Sequence, residues 1–276
     1  SNGSDIIRGL SVTSTTTSSA INASFNSIYL NASSIGASFG TSGVFHTAST
    51  TATTAALTLR NNIIANLSTP NIGGGSITTT AFRRSTGGAS TLANYGSGSN
   101  NNLLYAGTPG PNRLIYDDGL SIAQTLAAYK AGVFTAGTIA PRDSASISEN
   151  PPFLSTTGSS ANFLHIDTTV ATQIESGGIT VAGITDDFDG NVRNVSTPDI
   201  GADEGAFVLL DLIGPSITFS PLLNTSSTGN RILTTTIIDP SGVPTAGVGL
   251  PVIYYRKNAD PWASTQCSFV SGSNYD

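Results

Sequence analysis

The sequence predicts an all-β protein: a right-handed parallel β-helix (solenoid) with one short surface helix, followed by an incomplete immunoglobulin-like β-sandwich. Three observations predict this fold. Short strand-like segments recur at loose intervals of about 35 and 40 residues, one segment has helical spacing, and alternating strands replace the repeats after Glu204. We place the β-helix at residues 1–207, a linker at residues 208–215 and a truncated immunoglobulin-like module at residues 216–276.

The recurring segments each combine an Asn with large apolar residues. One such strand cannot bury its apolar face alone, so stacked coils bury it against one another. An Asn in the turn before a strand can adopt the left-handed conformation and hydrogen-bond its neighbours, so equivalent Asn residues are expected to form a ladder. An antiparallel β-sandwich with similar short strands is the alternative. The segments are 26–29, 61–64 and 101–104, and residues 6–12 and 163–166 are predicted as further strands.

One segment, residues 120–130, breaks the β pattern. It is rich in Ala and Leu, and its apolar residues recur three and four positions apart, which is helical spacing. Asp117, Asp118 and Ser121 are acceptors near its start, and Gly132 can end it. We therefore predict a short helix on the surface of the coils.

The sequence after residue 215 is typical of the first strands of an immunoglobulin-like sandwich. The predicted strands are 216–219, 231–238 and 252–256, and residues 239–242 are predicted as a turn. This module has fewer than about 70 residues where about 100 are usual. The chain contains no Met and begins Ser1-Asn2-Gly3, so we expect a processed or internal piece of a longer polypeptide.

Charge is scarce in this chain. Only 10% of its 276 residues are charged and 38% are hydrophobic, a balance that disfavours disorder. The net charge of −6 and the near absence of lysine (Lys130 and Lys257) exclude the basic patches that nucleic-acid binding needs. No apolar run approaches the roughly 20 residues that cross a bilayer, so we expect no membrane insertion. Cys267 is the lone cysteine, so no disulfide forms within the chain.

The densest charge lies in residues 185–204, here called the closing segment, which holds five Asp, one Glu and one Arg. Asp186, Asp187 and Asp189 precede a Gly-Asn pair and superficially resemble a calcium loop, although the acidic residue required at the twelfth position is missing.

Ion pairing is the other interpretation of the closing segment. Arg193 can pair with Asp189, Asp199 or Glu204 and lock the last coil. We favour this structural closure over calcium binding, and calcium binding over catalysis. No other cofactor is expected.

In these residues the chain resembles the right-handed parallel β-helix proteins exported by Bacteroidetes. The resemblance rests on the Asn-Asn-Ile-Ile coils, the short helix near residue 125, residues 150–154 and 163–166, and above all the closing segment with TDDFDGNVR and PDIGADE. It implies type IX secretion and display at the cell surface, with immunoglobulin-like modules after the β-helix. It does not imply one activity, because members range from adhesin-like stalks to polysaccharide-degrading enzymes.

The resemblance also implies a modification. Asp143-Ser144-Ala145 and Asp167-Thr168-Thr169 match the short pattern that Bacteroidetes O-glycosylate in exported proteins. Ser144 and Thr168 are therefore candidate O-glycosylation sites.

Other catalytic chemistry has little support in the sequence. His46 and His165 have no second His nearby, so zinc is unsupported, and no Gly-x-Ser-x-Gly elbow is present. Polysaccharide cleavage would need clustered carboxylates beside a base, but no acidic residue lies between Arg8 and Tyr116. Asp117 and Asp118 are adjacent on a strand and would point to opposite faces. The basic candidates are Arg60, Arg83, Arg84, Arg113 and Arg142.

We therefore expect a non-catalytic segment of a large exported cell-surface protein, adhesin-like or a structural stalk. Its polar β-helix faces would contact glycans, surfaces or other surface proteins. The alternative is a polysaccharide lyase or glycoside hydrolase on the same scaffold. A groove with three or more convergent carboxylates and an Arg or Lys would favour the enzyme.

Overall fold

The computed structural model describes residues 3–72, 77–85, 92–134, 137–227, 229–239, 241–256 and 258–276. The chain divides into two compact units, Ser1–Leu210 and Asp211–Asp276, which are described separately. The first is a parallel β-solenoid of about five turns with one short helix, and the second carries further strands that fit a sandwich. The predicted all-β fold is confirmed, and the parallel coils contradict the antiparallel alternative for the first unit.

Parallel strands on three faces build the solenoid. The first face has the order β1-β4-β8-β10, the second pairs β2 with β5, and the third has the order β3-β6-β9. The bounds are β1 (Gly3–Val12), β2 (Ala20–Ser24), β3 (Ser27–Leu30), β4 (Ser38–His46), β5 (Ala56–Arg60), β6 (Ile63–Asn66), β7 (Asn71–Ile72), β8 (Thr79–Arg84), β9 (Leu103–Tyr105), β10 (Arg113–Asp117), β11 (Ile122–Ala123), α1 (Leu126–Ala131), β12 (Val133–Phe134), β13 (Gly137–Thr138), β14 (Ala171–Thr172) and β15 (Val208–Leu209).

In-register stacking of apolar side chains builds the interior. On the first face Leu10 pairs with Val44, Val44 with Phe82, and Phe82 with Tyr116. The last three of these side chains are fully buried. Burial of one large apolar side chain contributes about 1.5–3 kcal/mol. Because these side chains are buried against the adjacent coil, each coil gains this stability only when its neighbour is present.

The Asn ladder expected from the repeats is formed. The backbone N–H and the Nδ2 of Asn26 both donate to Asn62 Oδ1, at 3.1 and 2.8 Å. Asn62 repeats the pattern with Asn102 Oδ1, at 3.1 and 3.0 Å. The preceding residues Asn61 and Asn101 adopt the left-handed conformation, each with φ 55°. In each Asn-Asn pair, the first residue therefore makes the turn and the second makes the ladder.

Residues 148–207, here called the return segment, cover the outside of the third face. Ile63 and Leu103 point outward from β6 and β9 and pack with Ile166, Ile174 and Ile200 of the return segment. Alternate residues of these strands therefore serve two cores, one inside the coil and one beneath the return segment.

The predicted helix is shorter than expected. It begins at Leu126, where Thr125 caps it by accepting a hydrogen bond from the Ala128 N–H at 3.1 Å, and the Gly132 N–H bonds back to the Tyr129 carbonyl at its end. Residues 122–123 instead form β11, antiparallel to β10. The prediction failed at the start because a hairpin after β10 uses those residues.

The predicted strand at 163–166 was wrong. These residues form turns with isolated bridges from Phe163 to Ser155 and from Ile166 to Phe153. Leu164 has φ 59°, which is incompatible with a continuous extended strand.

The second unit contains antiparallel strands. β16, β17, β21 and β20 form one sheet in that order, and β18 pairs with β19. Ile237, Cys267 and Tyr275 are buried at its centre. Of the predicted strand 231–238, only the part from Thr235 onward forms a strand. Pro240 of the predicted turn lies outside the described residues, as does Lys257. The bounds are β16 (Ser216–Phe219), β17 (Thr235–Ile238), β18 (Val252–Tyr255), β19 (Ala263–Gln266), β20 (Phe269–Ser271) and β21 (Asn274–Tyr275).

Across the residues that the structure describes, no helix has the length and apolarity needed to span a bilayer.

Candidate functional site

Arg193 is the centre of the closing segment, and only 5% of it is exposed. Its Nη1 donates to Glu204 Oε2 at 3.1 Å. Its Nη2 donates to the carbonyls of Gly201 and Ala202 at 3.1 and 3.2 Å, and its Nε donates to the Asp186 carbonyl at 3.3 Å. Of the three predicted acidic partners, the one that pairs with Arg193 is Glu204.

The closing segment is fastened to the first and second coils, which corrects the expectation that it locks the last coil. The Arg193 guanidinium carbon lies 4.0 Å from the Phe25 ring centroid. The Ala202 N–H donates to Ser27 Oγ at 3.0 Å, and the Gly201 N–H donates to the Asn61 carbonyl at 2.8 Å. The physical reason is that the return segment crosses the third face after the last coil and ends against the early coils.

Backbone N–H groups hold Glu204 and Asp199 in place. Glu204 Oε1 accepts from Asn194 N at 2.8 Å, and Oε2 accepts from Asp199 N at 2.9 Å. The Asp199 carboxylate accepts from Ser176 N at 2.7 Å and Gly205 N at 2.9 Å. Burial raises the pKa of Asp199 to about 7 against the effect of these hydrogen bonds, and the Glu204 charge adds to the rise.

The structure does not bring the predicted calcium ligands together. Asp187 Oδ1 accepts from the N–H groups of Asp189 and Asn191, both at 2.8 Å, and Oδ2 accepts from Asn191 Nδ2 at 3.1 Å and Glu204 N at 3.0 Å. Partial burial acts to raise the pKa of Asp187, but these hydrogen bonds outweigh it and lower the pKa. Because both oxygens accept hydrogen bonds from within the closing segment, Asp187 organises this segment instead of joining Asp186 and Asp189 around an ion.

Asp189 instead lies near two residues, His165 and Asp203, that the sequence analysis did not pair with it. His165 Nε2 lies 3.4 Å from Asp189 Oδ2, and one potential ligand atom from each of His165, Asp189 and Asp203 lies within 4.8 Å of the others. Asp203 Oδ2 accepts from the Ile166 N–H at 2.7 Å. Among the described residues, this is the group of three potential metal ligands that converges.

The same three residues line a cavity of about 210 Å³. Phe163, Leu164 and Phe188 supply its apolar wall, and Phe188 is 85% exposed. Burial raises the pKa of Asp203, and the neighbouring Asp187 and Asp189 charges add to the rise. No spacing in the sequence indicates this cavity, because residues near 165, 189 and 203 meet only through the path of the return segment.

The two candidate glycosylation sites lie on the surface. Ser144 is exposed, and its Oγ accepts from Asn100 Nδ2 at 3.3 Å. The preceding Asp143 is fully buried, and its carboxylate accepts from the hydroxyls of Tyr95 and Tyr129 at 2.7 and 2.9 Å. Burial raises the pKa of both tyrosines well above its usual value, and the Asp143 charge adds to the rise. Asp143 therefore has a structural role whether or not Ser144 is modified.

The second site, Thr168, is flanked by the partly exposed Asp167 and the exposed Thr169. Thr168 is exposed, and Asp167 Oδ1 accepts from the backbone N–H and the hydroxyl of Thr169, at 2.8 and 2.7 Å. These two hydrogen bonds lower the pKa of Asp167.

The outer side of the first face carries a row of paired charges. Arg8 Nε lies 2.7 Å from Asp5 Oδ2, and Arg83 Nη1 lies 2.8 Å from Asp117 Oδ2. Arg83 Nε also lies 3.7 Å from Asp5 Oδ1. In the described part of this face, two carboxylates are therefore paired with two arginines, whereas a polysaccharide-cleaving groove is expected to bring three or more carboxylates together. As expected, Asp118 points the other way: it is fully buried and accepts from the Tyr116 hydroxyl at 3.2 Å.

His46 belongs to the interior. Its Nε2 lies 2.7 Å from the Ala55 carbonyl, and its Nδ1 accepts from Arg84 Nε at 3.2 Å. Burial lowers the pKa of His46 to about 3, and the Arg84 charge adds to the fall. A neutral, buried imidazole beside an arginine is a structural group, not a catalytic base.

The chain matches no protein-family model, no curated protein and no solved structure.

Proposed function

We propose that this chain is a non-catalytic segment of a large exported cell-surface protein of the kind found in Bacteroidetes, adhesin-like or a structural stalk. The observation that carries the proposal is the pairing of Asp5 with Arg8 and of Asp117 with Arg83 on the outer side of the longest face. The remaining oxygens of these carboxylates are also occupied, because Asp5 accepts from the Ser42 hydroxyl and Asp117 accepts from the Gly119 N–H, so neither is placed to take a proton from a substrate. A solenoid whose first face carries paired charges suits display and contact.

The partner class that we favour is glycans. The cavity beside the closing segment combines the exposed Phe188 ring with the acceptors Asp189 and Asp203. A sugar ring packs its C–H face on an aromatic side chain, while its hydroxyls donate to carboxylates, and binding sites commonly pair an apolar wall with a few polar groups. Other surface proteins remain the second partner class.

A binding experiment on the whole chain tests this proposal. The purified chain is applied to immobilised neutral and acidic polysaccharides, and Phe188→Ala is compared with Val195→Ala, which alters an equally exposed apolar residue of the closing segment. We expect binding to at least one polysaccharide, weakened about tenfold by Phe188→Ala, which corresponds to about 1.4 kcal/mol, and unchanged by Val195→Ala. Equal binding by both variants, or no binding at all, would contradict it.

Polysaccharide cleavage is the second candidate, and one observation favours it. Arg83 bridges Asp5 and Asp117 across the outer side of the first face, so a basic group and two carboxylates do lie together. The wild-type chain, Asp117→Asn and Arg83→Ala are incubated with acidic and neutral polysaccharides, and reducing ends and unsaturated products are measured. Turnover by wild type that both variants lose would overturn the non-catalytic proposal.

Export, surface display and O-glycosylation belong to the same proposal. They rest on the resemblance in the closing segment and on the exposed positions of Ser144 and Thr168. In this proposal the sugars on those residues face solvent.

A further inference from the structure

We propose that His165, Asp189 and Asp203 form a binding site for a divalent transition-metal ion of the zinc type. The site differs from the calcium loop that the sequence suggested: it excludes Asp186 and Asp187, and it includes a histidine from the return segment. The proposal does not depend on the glycan-binding function, although the two share a cavity.

The first argument is geometric. Ligand atoms about 2.1 Å from a tetrahedral ion lie about 3.4 Å from one another. His165 Nε2 and Asp189 Oδ2 are 3.4 Å apart, a separation longer than the usual charge-assisted hydrogen bond. An atom of Asp203 lies within 4.8 Å of both, so the three potential ligand atoms lie close to the spacing that they would have around one ion.

The second argument concerns the donor set. One imidazole nitrogen and two carboxylate oxygens suit zinc and related first-row ions, whereas calcium and magnesium favour oxygen ligands alone. A divalent ion would also offset the negative charge of two coordinating carboxylates.

The third argument is that the protein already holds the ligands in place. Asp203 Oδ2 accepts the Ile166 N–H at 2.7 Å, which fixes that carboxylate beside the residue that follows His165. The Asp189 N–H donates to Asp187 Oδ1 at 2.8 Å, and the adjacent Phe188 N–H donates to the Ala202 carbonyl at 3.0 Å. Such outer hydrogen bonds orient metal ligands and are a large part of a functional site.

The fourth argument is access. The three residues line the cavity of about 210 Å³, and the side chains of His165 and Asp189 are 30% and 39% exposed. An ion can enter from solvent. With three protein ligands, at least one coordination position would remain for water or for a hydroxyl of a bound molecule.

The test uses the full chain after treatment with chelator, titrated with Zn²⁺ by calorimetry in the Cys267→Ala background, which removes the one thiol. We expect one ion per chain. His165→Ala, Asp189→Asn and Asp203→Asn should each weaken binding at least tenfold, and Asp186→Asn, which alters an exposed carboxylate of the same segment outside the group, should not.

Circular dichroism and the unfolding midpoint of each metal-free variant show whether it folds. A folded His165→Ala chain that binds Zn²⁺ as tightly as its parent would overturn the proposal, as would the absence of stoichiometric binding to the parent. Cobalt(II) gives a second readout: its visible spectrum should appear with the parent chain and be lost with His165→Ala. Phe188→Ala should keep the ion, so failure of glycan binding and failure of metal binding are distinguishable.

Discussion

Arg193 of the closing segment lies over the ring of Phe25 in the first coil, with its guanidinium carbon 4.0 Å from the ring centroid. The same guanidinium bonds Glu204 and two carbonyls of its own segment. One buried side chain therefore joins the end of the solenoid sequence to its beginning.

Replacing Arg193 with Ala should destabilise the first unit strongly. The change leaves Glu204, whose side chain is 9% exposed, without its positively charged partner, and breaking one side of a buried ion pair costs about 3–5 kcal/mol. Urea unfolding followed by circular dichroism measures this loss.

Arg8→Ala is the matched control, because Arg8 also pairs with an aspartate and lies over an aromatic ring, 3.5 Å from the Phe45 centroid, but is more exposed. Arg8→Ala should lower the free energy of unfolding by about 1 kcal/mol or less. Chelator should lower the melting temperature of wild type less than Arg193→Ala does, and an equal drop would reverse our ranking of ion pairing above metal binding for this segment.

Replacing Asn62 with Ala should cost more than replacing Asn26. Asn62 is buried and both donates to Asn102 and accepts from Asn26. Its loss removes the side-chain acceptor of the Asn26 N–H and Nδ2 and one of the two donors to Asn102 Oδ1, and each buried group left without a partner costs about 1–3 kcal/mol. Asn26 is the exposed first rung, and its loss should cost about 1 kcal/mol. Equal losses of unfolding free energy would show that the ladder contributes little.

The ladder and the closing segment show what could be predicted from sequence. Asn26, Asn62 and Asn102 repeat with the coil, so a local pattern was enough to predict their stacking. No local pattern places Arg193 on Phe25, or His165 beside Asp203, because those contacts depend on where a long irregular segment crosses the third face. The start of the helix was mispredicted for a similar reason: pairing of Ile122 and Ala123 with β10 overrides their helical spacing.

His46 should make the fold sensitive to acid. Its pKa is about 3 in the folded chain against an ordinary value of 6.5, so the unfolded chain takes up a proton first as the pH falls. The contribution of His46 to the free energy of unfolding is fully present above about pH 6.5 and is lost progressively towards pH 3, by up to about 1.4 kcal/mol per pH unit. Denaturant unfolding between pH 7 and 4 should show a shallower acid loss for His46→Gln than for wild type.

The titration of Asp199 should change the stability of the fold in the opposite direction over nearly the same pH range. Its folded pKa of about 7 lies above the ordinary 3.8, so its favourable contribution is present below about pH 4 and is lost as the pH rises through 7. Asp199→Asn should therefore steepen the acid loss that His46→Gln reduces. If both variants change the pH dependence of the unfolding free energy in the same direction, the pKa shift of either His46 or Asp199 has been assigned wrongly.

Material purified from the native host should carry O-glycans at Ser144 and Thr168. Both side chains are exposed, so an enzyme can reach them without unfolding the coil. Intact-mass measurement should show one added glycan mass lost in Ser144→Ala and another lost in Thr168→Ala. Ser146 is a matched control, because it is buried and donates to Asp143 at 2.7 Å, and Ser146→Ala should leave the added mass unchanged. An unmodified mass for the host protein would remove this part of the proposal.

Replacing Gly201 with Ala should detach the closing segment from the coils. Gly201 has φ 103°, and a Cβ there would lie 2.5 Å from Ile63 Cδ1 and 2.9 Å from Ser27 Oγ. Gly190 is the matched control, since it has φ 87° in the same segment and a Cβ there meets nothing within 4 Å. Gly190→Ala should cost about 1–2 kcal/mol from backbone strain alone, whereas Gly201→Ala adds about 1–3 kcal/mol of overpacking. Hydrogen exchange should rise across residues 185–204 in Gly201→Ala and change only near the substitution in Gly190→Ala. If both variants exchange alike, the close approach of Gly201 to the second coil does not hold the segment in place.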